Sequence, residues 1–304
     1  MIVVSTAALP IDLVAIITEA LPGTTVAVPA KGYVGLAGID LANVDGLICL
    51  LHDKITADVL ARAPKLKVVA NCAVGVDNLD LVAIKARGVV ATNTPEVLTE
   101  ATAELAFTLM LAAARRVGEG ERIVRAGGWR GWELDQLLGV QLHGKTLGII
   151  GYGRIGQAMG RRATGFGMRV IHASRDAAAI DALFAEADVV SLHCPLTPET
   201  RGLVDARRLA LMKRTAILVN TARGACVDED ALADALLAGR IFAAGLDVYA
   251  REPVVNERLF QSERCIVLPH IGSATIEART AMAQLCADGV IAVLSGRTPA
   301  NAVA

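Results

Sequence analysis

Aromatic residues make up only 3% of this 304-residue chain, and histidine occurs five times. With so few rings, the 54% of apolar residues is mostly Ala, Val, Leu and Ile, enough for a sizeable core and far from a disordered composition. Cysteine never occurs as CxxC or in a ligand-spaced cluster. The six, Cys49, Cys72, Cys194, Cys226, Cys265 and Cys286, sit mostly in apolar runs, so they read as reduced core thiols of a cytoplasmic protein, with no metal site among them. Neither sign of charge is in excess: 30 Lys+Arg against 31 Asp+Glu leave a formal charge of -1, which offers no basic face for nucleic acid. The start, MIVVSTAALPIDLVAII, lacks a basic leader and is broken by Pro10 and Asp12, so it reads as a strand and helix rather than a signal peptide or a membrane span. The 28 glycines have no period of three, which excludes collagen and leaves turns and close backbone approaches.

Short apolar runs alternate with short helical patterns along the whole chain. Strands are expected at 2–4, 45–51, 66–70 and 88–91, with helices at 12–20, 57–62 and 81–86. The segment 100–113 (EATAELAFTLMLAA) is apolar nearly all round and free of Gly and Pro, which suits a helix buried at a domain junction or a subunit contact. A linker at 127–139 holds both tryptophans, Trp129 and Trp132. A second alternation follows, with strands at 145–150, 168–172, 188–193, 216–220, 244–248 and 265–268, and a closing helix over 277–294. Fully apolar strands between helices imply an α/β fold of doubly wound parallel sheets.

Gly151-Tyr152-Gly153-Arg154-Ile155-Gly156 is a GxGxxG pattern, and it directly follows the strand TLGII and opens a helix. In that context Gly151 makes the tight turn, Gly153 admits a pyrophosphate to the backbone, and Gly156 lets the helix pack close to the sheet. The next strand, MRVIHASRD, ends without the carboxylate that accepts from an NAD ribose. Ser174 and Arg175 stand there instead, a pair suited to a 2′-phosphate, so NADP is the preferred cofactor with NAD possible. The competing reading leaves Arg175 solvated and gives the acidic role to Asp176.

Two histidines end strands, where such sheets bind ligands: His270 in IVLPHIGSAT, the first choice as proton donor, and His193 in VSLHCP, its competitor beside the cofactor. His143 and His172 read as structural. Arg223 in NTARG also follows a strand and suits a two-pronged grip on a carboxylate, with Thr221 just before it on the cofactor side. Glu252 in DVYAREP would favour the imidazolium form of His270 if the two are neighbours; the alternative is a salt bridge to a nearby arginine.

TLGIIGYGRIGQ, HCPLTPETRGLV, LMKRTAILVNTARGACVDEDALADAL, AGLDVYAREP and LPHIGSAT together resemble the D-isomer-specific 2-hydroxyacid dehydrogenases, over nearly the whole chain. The resemblance implies a catalytic set of Arg223, Glu252 and His270, with Arg223 and His270 also touching substrate. It implies that the backbone amides of Val74 and Gly75 in NCAVGVDNLD bind a substrate carboxylate, and that Thr102, Pro195 and Asp247 lie on the cofactor side. It further implies two Rossmann-like or flavodoxin-like domains with a cleft between them. Residues 1–98 plus 287–304 would bind substrate and 99–286 the nucleotide, in a homodimer whose interface lies near the 100–113 helix. NTPEVLTEATAELAFTLML and GGWRGWELDQLLGVQLHGKTLGI look most like glyoxylate/hydroxypyruvate and 2-ketogluconate reductases, which reduce small 2-oxo acids. Leu50-Leu51-His52 replaces the arginine expected of a phosphoglycerate dehydrogenase, the alternative oxidation reading. A dinucleotide-sensing, corepressor-like protein is the non-enzymatic alternative.

Overall fold

Eleven strands, none longer than five residues, form two sheets in which every pairing is parallel. They appear in a computed structural model that describes residues 1–304, and the chain divides into two units, Met1–Leu98 with Ser273–Ala304 and Thr99–Gly272.

The first unit runs β1 (Ile2–Ser5), α1 (Leu13–Ala20), β2 (Thr25–Ala27), β3 (Gly46–Cys49), α2 (Ala57–Ala61), β4 (Val68–Asn71), α3 (Leu81–Ala86) and β5 (Val90–Thr92), with the strands in the order β2-β1-β3-β4-β5. Strands β3 and β4 are buried at every position, as their sequences GLIC and VVAN require of a sheet covered on both faces. Asp12 and Asp80 start α1 and α3 by accepting the amides of Ala15 and Ala83.

The second unit runs α4 (Thr99–Ala114), α5 (Val117–Arg125), β6 (Thr146–Ile150), α6 (Arg154–Gly165), β7 (Arg169–Ala173), α7 (Ala177–Glu186), β8 (Val189–Leu192), α8 (Ala206–Leu211), β9 (Ile217–Asn220), α9 (Glu229–Leu237), β10 (Ala243–Leu246) and β11 (Cys265–Val267). Its strand order is β11-β10-β9-β8-β6-β7, so the chain reverses direction across the sheet between β6 and β8. Ligands of open parallel sheets bind at such a reversal, outside the carboxyl ends of the strands. Phe184 is the only aromatic among the largest fully buried side chains; Leu, Ile and Met fill the rest of that set. Each such side chain contributes about 1.5–3 kcal/mol by leaving water.

The last helix, α10 (Ile276–Leu294), returns to the first unit. Cys286, Ala287, Val290 and Ile291 pack there with Val3, Leu13, Ile17, Ile48, Val68 and Ala70. The domain boundary expected at 286/287 stands at 272/273, because α10 as a whole belongs with the first unit, packed on β4, β3 and α1.

Two elements were not expected and one expectation changes. The three-residue β2 is too short and too exposed to carry a sequence period. Helix α5 has no buried residue and contains two glycines, so no apolar stripe announces it. Helix α4 packs against β9, β10 and α6, yet Glu104 and Thr108 face solvent, so it is not buried all round. All six cysteines are unpaired, and Cys72 alone is not fully buried. No helix is long and apolar enough to cross a membrane.

Candidate active site

The glycine turn lies at the sheet reversal, between the ends of β6 and β8. Gly151 has φ +89°, and a Cβ there would stand 2.7 Å from the Cys194 amide nitrogen, so only glycine lets the two strand ends approach. A Cβ on Gly156 would meet the Gly151 carbonyl at 2.4 Å, which explains why α6 can enter directly from the turn. Gly153 is the opposite case, with open space where its Cβ would be. It also caps α6 without a side chain, whereas Asp176, Asp205 and Asp228 cap α7, α8 and α9. The first turn of α6 therefore has no side-chain cap from Gly153, the arrangement that accepts a phosphate. The buried hydroxyl of Thr221 has no hydrogen-bond partner within the chain, as expected of a residue that meets a bound group. These residues fit a dinucleotide.

At the end of β7, Ser174 and Arg175 are exposed. Asp176 is not turned toward the sheet end: its carboxylate accepts the Ala178 amide at 3.0 Å and caps α7. The acidic residue that competed with Arg175 thus has its own local work.

Arg223, Glu252 and His270 come from the loops after β9, β10 and β11, three neighbouring strands. Glu252 reaches His270. Its Oε2 lies 2.7 Å from His270 Nδ1, and its Oε1 accepts the Tyr249 amide at 2.9 Å. A carboxylate only accepts, so Nδ1 carries the proton and Nε2 is left for chemistry. The His270 side chain is 24% exposed and that of Glu252 15%, which leaves the ring reachable and its anchor sheltered. His270 has φ +54°, a left-handed conformation that its surroundings must hold. Asp247 does so from behind: its two oxygens accept the amides of Ile271 and Gly272 at 2.8 and 2.7 Å. Burial pushes that carboxyl up, against the amides that pull it down. Arg223 is fixed by its backbone, whose carbonyl accepts from Asn220 Nδ2 at 3.0 Å, while its Nη1 donates to the Ala222 carbonyl at 2.8 Å. Gly224 brings this turn against the β10 loop, since a Cβ there would fall 1.9 Å from the Tyr249 carbonyl carbon.

His193, the competing proton donor, differs on each count. Burial lowers its pKa to about 4, which keeps it neutral near pH 7. Its Nε2 pairs with Ser191 Oγ at 2.8 Å, and no carboxylate holds it. Thr102 is buried on α4, within reach of Gly272, and Pro195 is exposed after β8. His172 stacks on Tyr152 at 4.1 Å, and the His143 ring lies against Gly167, as structural histidines.

In the first unit, the turn after β4 has a one-sided hydrogen-bond pattern. The carbonyls of Ala73, Val74, Gly75 and Val76 accept from Thr94 N, Asn93 Nδ2, Asn71 Nδ2 and Leu79 N respectively. The amides of Val74, Gly75 and Val76 donate to nothing within the chain. Successive unpaired amides form a concavity for an anion. Val76 and the asparagines escaped the sequence reading, although two Asn in the ten residues NCAVGVDNLD were a visible signal. Tyr249 was missed as well; its hydroxyl donates to the Leu268 carbonyl at 2.8 Å and ties the β10 loop to the end of β11.

Known proteins resemble the chain in sequence and in fold. The D-isomer specific 2-hydroxyacid dehydrogenase, NAD binding domain, family matches residues 107–272. The glyoxylate reductase of Thermococcus litoralis is 49% identical over 86% of this chain and 84% of its own, and that of Aeropyrum pernix is 46% identical over 86% and 83%. The crystal structure of the TT0316 protein from Thermus thermophilus superposes with a TM-score of 0.94 at 46% identity, covering 100% of both chains. An NADPH-dependent glyoxylate/hydroxypyruvate reductase from Sinorhizobium meliloti, in complex with NADP and malonate, reaches a TM-score of 0.86 at 31% identity, covering 100% of this chain and 96% of that one.

Proposed function

This chain belongs to the D-isomer-specific 2-hydroxyacid dehydrogenases, and we propose that it reduces a small 2-oxo acid of the glyoxylate and hydroxypyruvate class to the D-2-hydroxy acid. The observation that carries the reading is the His270–Glu252 pair at the strand ends beside Arg223. When bound, the reduced nicotinamide supplies a hydride to the carbonyl carbon. Gly151, Gly153 and Gly156 admit the dinucleotide, with Arg154, Ile155, Thr102, His193, Pro195, Thr221 and Asp247 on its side. Amides of Val74 and Gly75 take the substrate carboxylate, and Arg223 grips the carboxylate and the carbonyl oxygen. Negative charge develops on that oxygen, so the guanidinium stabilises the transition state more than the ground state. His270 delivers a proton from Nε2 to the same oxygen, which completes the hydroxyl. Glu252 accepts from Nδ1 and so orients the ring.

NADPH is the proposed preferred cofactor. Asp176 is engaged as a helix cap, Ser174 and Arg175 stand exposed at the end of β7, and the Sinorhizobium relative is itself NADPH-dependent. A homodimer is proposed from the apolar surface of α5 and the following segment, where Val117, Val124, Trp129, Trp132, Leu134 and Leu138 are all exposed.

The test is loss of absorbance at 340 nm with NADPH or NADH against glyoxylate, hydroxypyruvate, 2-ketogluconate, pyruvate and phosphohydroxypyruvate. Turnover of one of the first three with NADPH is the expected result. Turnover of phosphohydroxypyruvate alone, or none with dinucleotide binding intact, overturns the reading.

A further inference from the structure

The turn that carries Val74, Gly75 and Val76 is held by a pair of buried asparagines to which no chemistry has been given. Asn71, the last residue of β4, is 0% exposed, and Asn78, seven residues on, is 5% exposed. Their side-chain amides face each other and exchange two hydrogen bonds, Asn78 Nδ2 to Asn71 Oδ1 at 3.0 Å and Asn71 Nδ2 to Asn78 Oδ1 at 3.2 Å. The second N–H of Asn71 goes to the Gly75 carbonyl at 2.9 Å. That of Asn78 is shared between the carbonyls of Asp53 at 3.0 Å and Leu50 at 3.3 Å, in the loop after β3. Burying two primary amides is costly unless every donor is used, and here all four N–H groups are.

The direction of these bonds matters more than their number. A side-chain amide that donates to a backbone carbonyl turns that carbonyl inward and so turns the neighbouring N–H groups outward. Asn71 does this at Gly75, and Asn93 does it at Val74 with a 2.9 Å bond. The loop after β3 is itself rigid. Asp53, 2% exposed, accepts from Thr6 Oγ1, Tyr33 Oη and the Leu50 amide at 2.6, 2.8 and 2.9 Å. The asparagine pair therefore transfers the rigidity of one strand-end loop to the next.

We propose that Asn71 and Asn78 are positioning residues for the reduction: locked face to face, they hold the Val74–Val76 turn with its three amides aimed at the substrate carboxylate. The inference rests on the reading that this turn binds the carboxylate, and it adds Val76 as a third donor and the asparagine pair as the part that aims them. A turn that must wait for substrate to order it binds more weakly by the fraction of time it is correctly formed. The pair thus acts on carboxylate affinity and leaves the dinucleotide untouched.

The experiment uses the intact protein with NADPH, glyoxylate as substrate and oxamate as an unreactive carboxylate probe. Asn71→Asp and Asn78→Asp keep the shape and remove the donors. Each is expected to raise KM for glyoxylate and Ki for oxamate at least tenfold, with kcat within about threefold and the NADPH Kd unchanged. The double variant Asn71→Ser with Asn78→Ser should be no worse than the more impaired of its single variants, because either change disables the same strut. Asn78→Ser, less disruptive to folding, should show the same pattern at smaller amplitude. Unchanged KM and Ki, with only Tm or the amount of active enzyme reduced, overturn the inference. Gly75→Pro and Val74→Pro each delete one amide donor and test the underlying reading. If they leave oxamate binding intact, the carboxylate assignment fails. If they abolish it while the asparagine variants do not, the positioning role alone fails.

Discussion

Oε2 of Glu252 lies 2.7 Å from Nδ1 of His270, and its other oxygen is held by the Tyr249 amide, so the carboxylate is anchored before it orients the ring. A proton donor needs a fixed direction, and this arrangement fixes the direction of the ring. Replacing His270 with Ala should lower kcat by about 10²–10⁴ while KM for the 2-oxo acid changes little. Glu252→Gln keeps the hydrogen bond to Tyr249 and removes the charge, so it should fall between wild type and His270→Ala. Steady-state NADPH oxidation checks both, and a near-normal kcat for His270→Ala would falsify its role as the acid.

Gly224 offers a sharper test of geometry. A methyl group there would occupy the Tyr249 backbone, so Gly224→Ala must push the Arg223 turn away from the β10 loop. The expected result is destabilisation of about 1–3 kcal/mol in urea unfolding. Turnover should fall even in the fully folded fraction, since Arg223 moves with the turn.

The proposed preference for NADPH rests on Arg175. Arg175→Ala should raise KM for NADPH by about 10–100-fold, one to two charge-assisted hydrogen bonds, and leave KM for NADH unchanged. Equal loss for both cofactors would remove Arg175 from recognition of the 2′-phosphate.

His193 ties stability to pH. Burial lowers its pKa from 6.5 to about 4, so below 6.5 the unfolded chain takes up a proton that the folded chain refuses. Its stabilising contribution is complete above pH 6.5 and drains away as pH falls toward 4. The loss over that window is about 3 kcal/mol. His193→Asn should therefore show a flatter dependence of unfolding free energy between pH 6.5 and 4, measured by urea titration at each pH.

The apolar surface around Trp132, 79% exposed, predicts an assembly change. Trp132→Asp combined with Leu134→Asp should shift sedimentation from dimer to monomer, and a wild-type monomer at micromolar concentration would exclude the dimer outright.

Most of this architecture is written locally. The apolar strands VVAN and ILVN, and the aspartates that start α1, α3, α7, α8 and α9, are rules of period and capping that need no partner. The glycine motif was equally legible because each glycine meets a local steric demand. What escaped depends on neighbours distant in sequence. The Glu252–His270 contact was legible only as one of two alternatives and the approach of Gly224 to Tyr249 not at all, because both arise from strand order. The asparagine pair was visible as composition but not as function, because an amide's meaning lies in which carbonyl it meets. Helix α5 was missed because it buries nothing within its own chain.

The seating of α10 on the first sheet has a consequence for synthesis. Val3, Ile48, Val68 and Ala70 leave the ribosome early, yet the helix that covers them begins only at Ile276. At about 5–20 residues per second, the nascent chain carries that bare apolar surface for roughly ten seconds or more while residues 99–272 are made. The amino-terminal sheet is thus the part of this protein most in need of a chaperone, and a chain truncated before Ile276 should be an aggregating product even though its nucleotide unit is whole.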